Sequence, residues 1–130
     1  MSNPNDPSHT HTHSYSNLDI PIFAKLYEFY KLLYQYLKLF PKRDRYSLGQ
    51  RIDNLALGIF ELIFKTALVS QSQKIELLQE ISAKLDLLKI LIRLAHDNKC
   101  FSTKAYLLLQ QSLQEIGKMT GGWIRHLKNS

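Results

Sequence analysis

With 130 residues, 45% hydrophobic and 22% charged, the chain is long enough for one globular domain with a sizeable core. A single cysteine, Cys100, excludes an internal disulfide, a CxxC redox pair and a cysteine zinc cluster, which fits a reducing cytoplasm. The formal net charge of +6 favours anionic partners, nucleic acid foremost, while no charge-free apolar run approaches the ~20 residues that span a bilayer and no signal sequence opens the chain.

Residues 1–19 are rich in Ser, Asn, Pro, Thr and His and have almost nothing to bury, so they read as a flexible tail ahead of a domain over 20–130. His9, His11 and His13 alternate with threonines there, but an extended tract preorganises no metal geometry, and no metal or other cofactor is expected.

From Pro21 to Phe40 the pattern is helical, with Pro21 suited to the first turn and Asp19 placed to cap it. At ~100° per residue, its apolar and tyrosine positions cover about 220° of the circumference, leaving Glu28, Lys31, Gln35 and Lys38 a narrow face. One packed side of a bundle needs a stripe little wider than ~100°. The excess predicts self-association, with Phe29, Leu32, Tyr36 and Phe40 as the interface residues. A nucleic-acid stacking face is the rival use of the tyrosines, disfavoured because stacking platforms interleave basic residues.

Pro41 ends this helix, and the chain enters a basic elbow. Lys38, Lys42, Arg43, Arg45 and Arg51 against Asp44 put +4 of the chain's +6 into residues 38–51. Ser47 and Gln50 have capping-box spacing, so a second helix is expected to start near Ser47. Its Leu48, Ile52, Leu55, Ile59 and Leu62 recur at 3 or 4, with Leu57, Phe60, Phe64 and Ala67 as a flank, which reads as a mostly buried helix. Asp53 and Glu61 are expected to orient or pair with basic neighbours rather than act as acid and base.

After the polar break Ser70–Gln73, residues Ile75, Leu78, Ile81, Leu85, Leu88, Ile92 and Ala95 form an unbroken bundle seam, with Lys74, Glu80, Lys84 and Lys89 on a solvated side. A turn at Asp97–Lys99 leads to Ser102, a good N-cap. Tyr106, Leu109, Leu113, Ile116, Thr120, Trp123 and Leu127 mark the fourth helix, with Trp123 as a packed anchor. Gly117, Gly121 and Gly122 each cost up to ~1 kcal/mol in a helix, which predicts a close approach by a neighbouring helix.

Short links make successive helices antiparallel, so the fold class is all-α, an up-down-up-down four-helix bundle. That connectivity gathers Lys42, Arg43, Arg45, Lys99 and Lys104 at one pole, and Lys65, Lys74, Arg125 and Lys128 at the other. Catalysis finds no support. The domain's two histidines, His96 and His126, sit in no HExxH or triad-like spacing, Cys100 has no convincing base, and no Glu-x-x-His repeat exists for a di-metal bundle.

Phe40-Pro41-Lys42 followed by Tyr46-Ser47-Leu48-Gly49-Gln50-Arg51-Ile52, and Ile116-Gly117-Lys118-Met119-Thr120-Gly121-Gly122-Trp123-Ile124 near the end, resemble the accessory variability determinant (Avd) proteins of diversity-generating retroelements. They are also similar to the four-helix proteins encoded by intervening sequences in large-subunit ribosomal RNA genes. The resemblance implies a non-enzymatic bundle that forms a ring-like homopentamer. Such a protein associates with the retroelement's reverse transcriptase and its template RNA, or a related DNA or RNA/DNA hybrid, and supports error-prone cDNA synthesis and mutagenic retrohoming. By motif match it assigns Lys42 and Arg51 to nucleic-acid contact; charge alone adds Arg43, Arg45, Arg93, Arg125 and Lys128. Arg51 has intersubunit hydrogen bonding as its other expected role. The alternative is a structural or protein-interaction bundle of the ribosomal intervening-sequence type, without a reverse transcriptase. Neither reading involves a membrane, and both place the protein in the cytoplasm.

Overall fold

The computed structural model describes residues 19–129, with side chains from Pro21 onward, and its regular structure among those residues is entirely helical. Four long helices carry it: α1 (Asp19–Leu37), α3 (Gln50–Leu68), α4 (Gln71–Asp97) and α5 (Thr103–Lys128). A short helical turn, α2 (Lys42–Asp44), and a wide π-helical turn, Arg45–Gly49, lead into α3. The expected tail and its three histidines lie outside the described residues, apart from Asp19, which is already the first residue of α1 rather than a cap ahead of it.

Each long helix packs on two others: α1 on α3 and α5, α4 on α3 and α5. This closed square, joined by short links, is the expected four-helix bundle. Its axis is filled by the 3–4 repeat of every helix, including Leu26 and Leu33 of α1, Ile52 and Ile59 of α3, Ile81, Leu85, Leu88 and Ile92 of α4, and Leu109, Leu113 and Ile116 of α5, all with 1% exposure or less. Trp123 anchors the far end of α5 at 1% exposure. Each such side chain contributes about 1.5–3 kcal/mol by leaving water. The two buried hydroxyls are satisfied within their own helices, Thr66 donating to the Leu62 carbonyl and Thr120 to that of Ile116.

The α3 helix departs from expectation at both ends and on one face. Pro41, with φ −54° and ψ 145°, turns the chain, and its carbonyl accepts from the N–H groups of Asp44 and Arg45 at 2.9 and 3.0 Å. Helix therefore restarts at Lys42, not at Ser47. Ser47 lies inside the coil, where its hydroxyl donates back to the carbonyls of Arg43 and Asp44, so no capping box forms. Leu57 and Phe64 are exposed, and the helix is amphipathic instead of mostly buried. Asp53 forms no ion pair among the described residues; it accepts the Tyr30 hydroxyl at 2.6 Å.

The link from α4 to α5 is a Schellman turn. Cys100 N–H donates to Ala95 and Lys99 N–H to His96, which requires a left-handed residue between, and Lys99 supplies it at φ 65°. Ser102 then caps α5, its hydroxyl accepting from Ala105 N–H at 3.1 Å. At the other end, Lys74 folds back so that its ammonium donates to the Thr66 carbonyl at 2.6 Å, tying the last turn of α3 to the first of α4.

The glycine expectation fails within the subunit. A Cβ at Gly117, Gly121 or Gly122 would meet only the ends of Lys89 and Arg125 side chains, 3.6–3.7 Å away, and no neighbouring helix backbone. The crowded glycine is Gly49, whose Cβ would lie 3.0 Å from the Phe40 ring and 3.2 Å from the Asp44 carbonyl oxygen.

Candidate nucleic-acid interface

The elbow is organised by what its cations do locally. The tail of α1 closes with tight bonds from Leu39 to Tyr36 and from Phe40 to Leu37, leaving carbonyls pointing out. One Arg45 guanidinium nitrogen reaches both the Lys38 and Phe40 carbonyls at 3.3 Å. Arg45 is thereby a clasp on the end of α1 as well as a surface charge. Arg43 is almost fully exposed, with only a long contact to Asp44 at 3.9 Å, and Lys42 forms no ion pair among the described residues.

Beneath these charges lies an apolar plug that fixes the elbow to the bundle. Phe40 packs edge-on against Phe101, ring centroids 4.8 Å apart, and both are buried. Cys100 sits buried beside them; its burial, and then the neighbouring Asp44 carboxylate, push its thiol up and favour the neutral form. The plug brings residues 41–46 together with the 97–102 turn, and Lys99 and Lys104, both exposed, join Lys42 and Arg43 at this pole.

The remaining sequence candidates divide between the two ends of the bundle. Arg51 is exposed in the first turn of α3, where it lines a shallow groove of about 250 Å³ with Asn54, Gly58 and Lys84. Arg93 lies exposed near the end of α4 at 4.0 Å from Asp97. Arg125 and Lys128 occupy the last turn of α5, whose 26 residues place them ~30 Å or more from the elbow at 1.5 Å per residue. Lys42, Arg43, Arg45, Lys99 and Lys104 thus share one cationic pole, Arg51 and Arg93 lie in the turns of α3 and α4 next to it, and Arg125 and Lys128 form a separate basic terminus.

Among the expected interface residues, Phe29 and Phe40 are spent on the subunit's own core at 1% and 2% exposure, and Leu32 and Tyr36 are partly covered. The apolar surface left open is elsewhere. It includes Phe23, Tyr27, Tyr34 and, just past the helix, Leu39 on the α1 side, Tyr46 in the elbow, Leu57, Phe64 and Leu68 on α3, Ile90 and Leu94 on α4, and Leu107 and Leu108 on α5. A 220° arc cannot reveal which half faces inward; the structure turns the Leu26–Phe29–Leu33 side to the axis.

Sequence reading also missed Lys31 and Lys38 as partners of the tyrosines. The Lys31 ammonium lies 5.8 Å from the Tyr27 ring centroid and that of Lys38 4.8 Å from the Tyr34 centroid, pairs that the repeated i, i+4 spacing would have exposed.

Among the described residues no cluster of His, Cys, Asp or Glu could hold a metal ion, and no helix is long and apolar enough to cross a membrane. A small cationic protein built as a four-helix bundle is the class these features define. Residues 21–127 match the family model of bAvd-like proteins, and the chain belongs to that family. The resemblance to Avd proteins carried by residues 40–52 and 116–124 is thereby borne out. No curated protein matches the chain significantly.

Proposed function

We propose that this chain is a non-enzymatic accessory protein of a diversity-generating retroelement, acting in the cytoplasm by binding the reverse transcriptase and its template RNA during error-prone cDNA synthesis and mutagenic retrohoming. The observation that carries the reading is the family match together with the exposed cations at the elbow pole. A ring-like homopentamer brings five such poles together, so that one polyanion meets many cations at once. The exposed apolar side chains of α3, α4 and α5 supply surface for that assembly. RNA is the first ligand, and DNA or an RNA/DNA hybrid presents the same phosphate backbone.

Filter binding of structured RNA across a salt series tests this. Each phosphate neutralised releases counterions, so the logarithm of affinity should fall steeply and linearly with the logarithm of salt. Absent or salt-independent binding would contradict the reading and favour a bundle that serves protein contacts alone.

A further inference from the structure

We infer that α1 carries a base-stacking strip for single-stranded nucleic acid, made of Tyr27, Lys31, Tyr34 and Lys38 and continuous with the cationic elbow. This rests on the proposed nucleic-acid function and adds a chemical class of ligand and a second kind of contact to it.

Aromatic and cationic residues alternate along one exposed line of the helix, each lysine one turn beyond its tyrosine and the pair repeated after seven residues. Tyr27 is 53% and Tyr34 50% exposed, so their rings are not consumed by the core. Two helical turns separate them by ~10.5 Å, about the run of three stacked nucleotides. The lysines fold over the rings at the cation–π distances given above, contacts worth little at exposed sites. Each ammonium can leave for a phosphate at small cost while the ring it covered receives a base.

The strip is also held in place from behind. Tyr30 packs at 6.2 Å from Tyr34, and Tyr30 is itself fixed by its hydrogen bond to Asp53 and its edge contact with Phe60, 5.9 Å between centroids. Tyr34 therefore stands on a fixed support. Charge along the strip suits a polyanion: the 3.7 Å pair of Glu28 with Lys31 is solvent-exposed and weak, so it yields readily to a phosphate. Beyond Lys38 the strip runs into the elbow, because the Lys38 carbonyl is bound by Arg45. A second copy of the chain is the rival occupant, but interface cores are depleted in lysine, and closing a protein surface here would bury Lys31 and Lys38.

The test compares three fluorescently labelled ligands by anisotropy: a 12-nucleotide uridine strand, an abasic strand with the same phosphates, and a 12-base-pair RNA duplex. The wild-type chain should bind the uridine strand about fivefold or more tighter than the abasic strand. Tyr27→Leu/Tyr34→Leu, which keeps apolar bulk but removes the ring faces, should abolish that preference while leaving duplex and abasic binding and the light-scattering mass unchanged. Equal wild-type affinity for uridine and abasic strands overturns the strip and leaves the proposed function standing. Unchanged uridine binding by the double variant overturns it too, as does a fall in molar mass without loss of the base preference, which assigns the tyrosines to a second copy. Failure to bind any of the three ligands overturns the proposed function together with the strip.

Discussion

Single residues at the elbow pole set conformations that their neighbours depend on. Lys99 holds φ 65°, a left-handed geometry that costs a non-glycine residue ~1–2 kcal/mol, in a turn where glycine is the usual occupant. Lys99→Gly should therefore stabilise the chain by about 0.5–1 kcal/mol, after the extra freedom of glycine in the unfolded state is subtracted. A urea titration with a raised midpoint and an unchanged slope would show this.

Tyr30 gives a pH signature. Burial first, and then its hydrogen bond to Asp53, push its hydroxyl up to about 12 from the ordinary value near 10. The neutral phenol is the form the fold favours, so its stabilisation is complete below pH 10 and is lost as pH rises from 10 through 12. Tyr30→Phe should lower stability at neutral pH by about 1 kcal/mol, the scale of a hydrogen bond to a charged group in a partly open site. The same variant should flatten the alkaline loss of stability between pH 10 and 12, measured by chemical denaturation at each pH.

At the scale of elements, the glycines of α3 and its leading turn divide by their surroundings. Gly49 lies against Phe40 and the Asp44 carbonyl, whereas a Cβ at Gly58 meets nothing within 4 Å. Gly49→Ala should destabilise the subunit by about 1 kcal/mol or more, because the Phe40 ring and the elbow backbone must both give way. Gly58→Ala should stabilise the subunit by about 0.5–1 kcal/mol, since a helix interior favours alanine and there is room for it. Thermal unfolding of the two variants with opposite shifts checks both.

The bundle helices were legible in the sequence because a buried face repeats every 3.6 residues: the α4 seam is buried from Leu78 to Ala95, with its first member Ile75 only partly covered, and the Trp123 anchor and the Ser102 cap stand as read. Other features were not legible, because context beyond the local pattern decided them. Ser47 had the spacing of a cap, but the Pro41 carbonyl had already started the helix. Phe29 and Phe40 sat in an arc too wide to show which side faces the axis, and they went to the core. Asp53 met a tyrosine from α1 rather than a cation, a partnership set by packing across 23 residues of chain. The elbow's charge was plain in the composition; that Arg45 clasps α1 while Lys42 and Arg43 stay open to solvent was not.

At the scale of the whole molecule, the proposed function draws on surface the subunit leaves open: exposed apolar side chains on α3, α4 and α5, and a pole whose cations face solvent. The bundle is a rigid mount for both. The homopentamer proposed above would multiply the charge at each pole without adding a residue, and multivalent attachment would then make even weak single contacts effective.

The most direct measurement is RNA affinity of Lys42→Ala/Arg43→Ala across a salt series, with molar mass followed by light scattering; Arg45 is left intact because it clasps α1. The variant should keep an unchanged mass equal to several subunits, bind RNA more weakly and uniformly across sequences, and show a salt slope shallower by about 0.7–0.9 for each phosphate that it no longer neutralises. A monomeric mass, or an affinity and slope equal to those of the wild type, would contradict it.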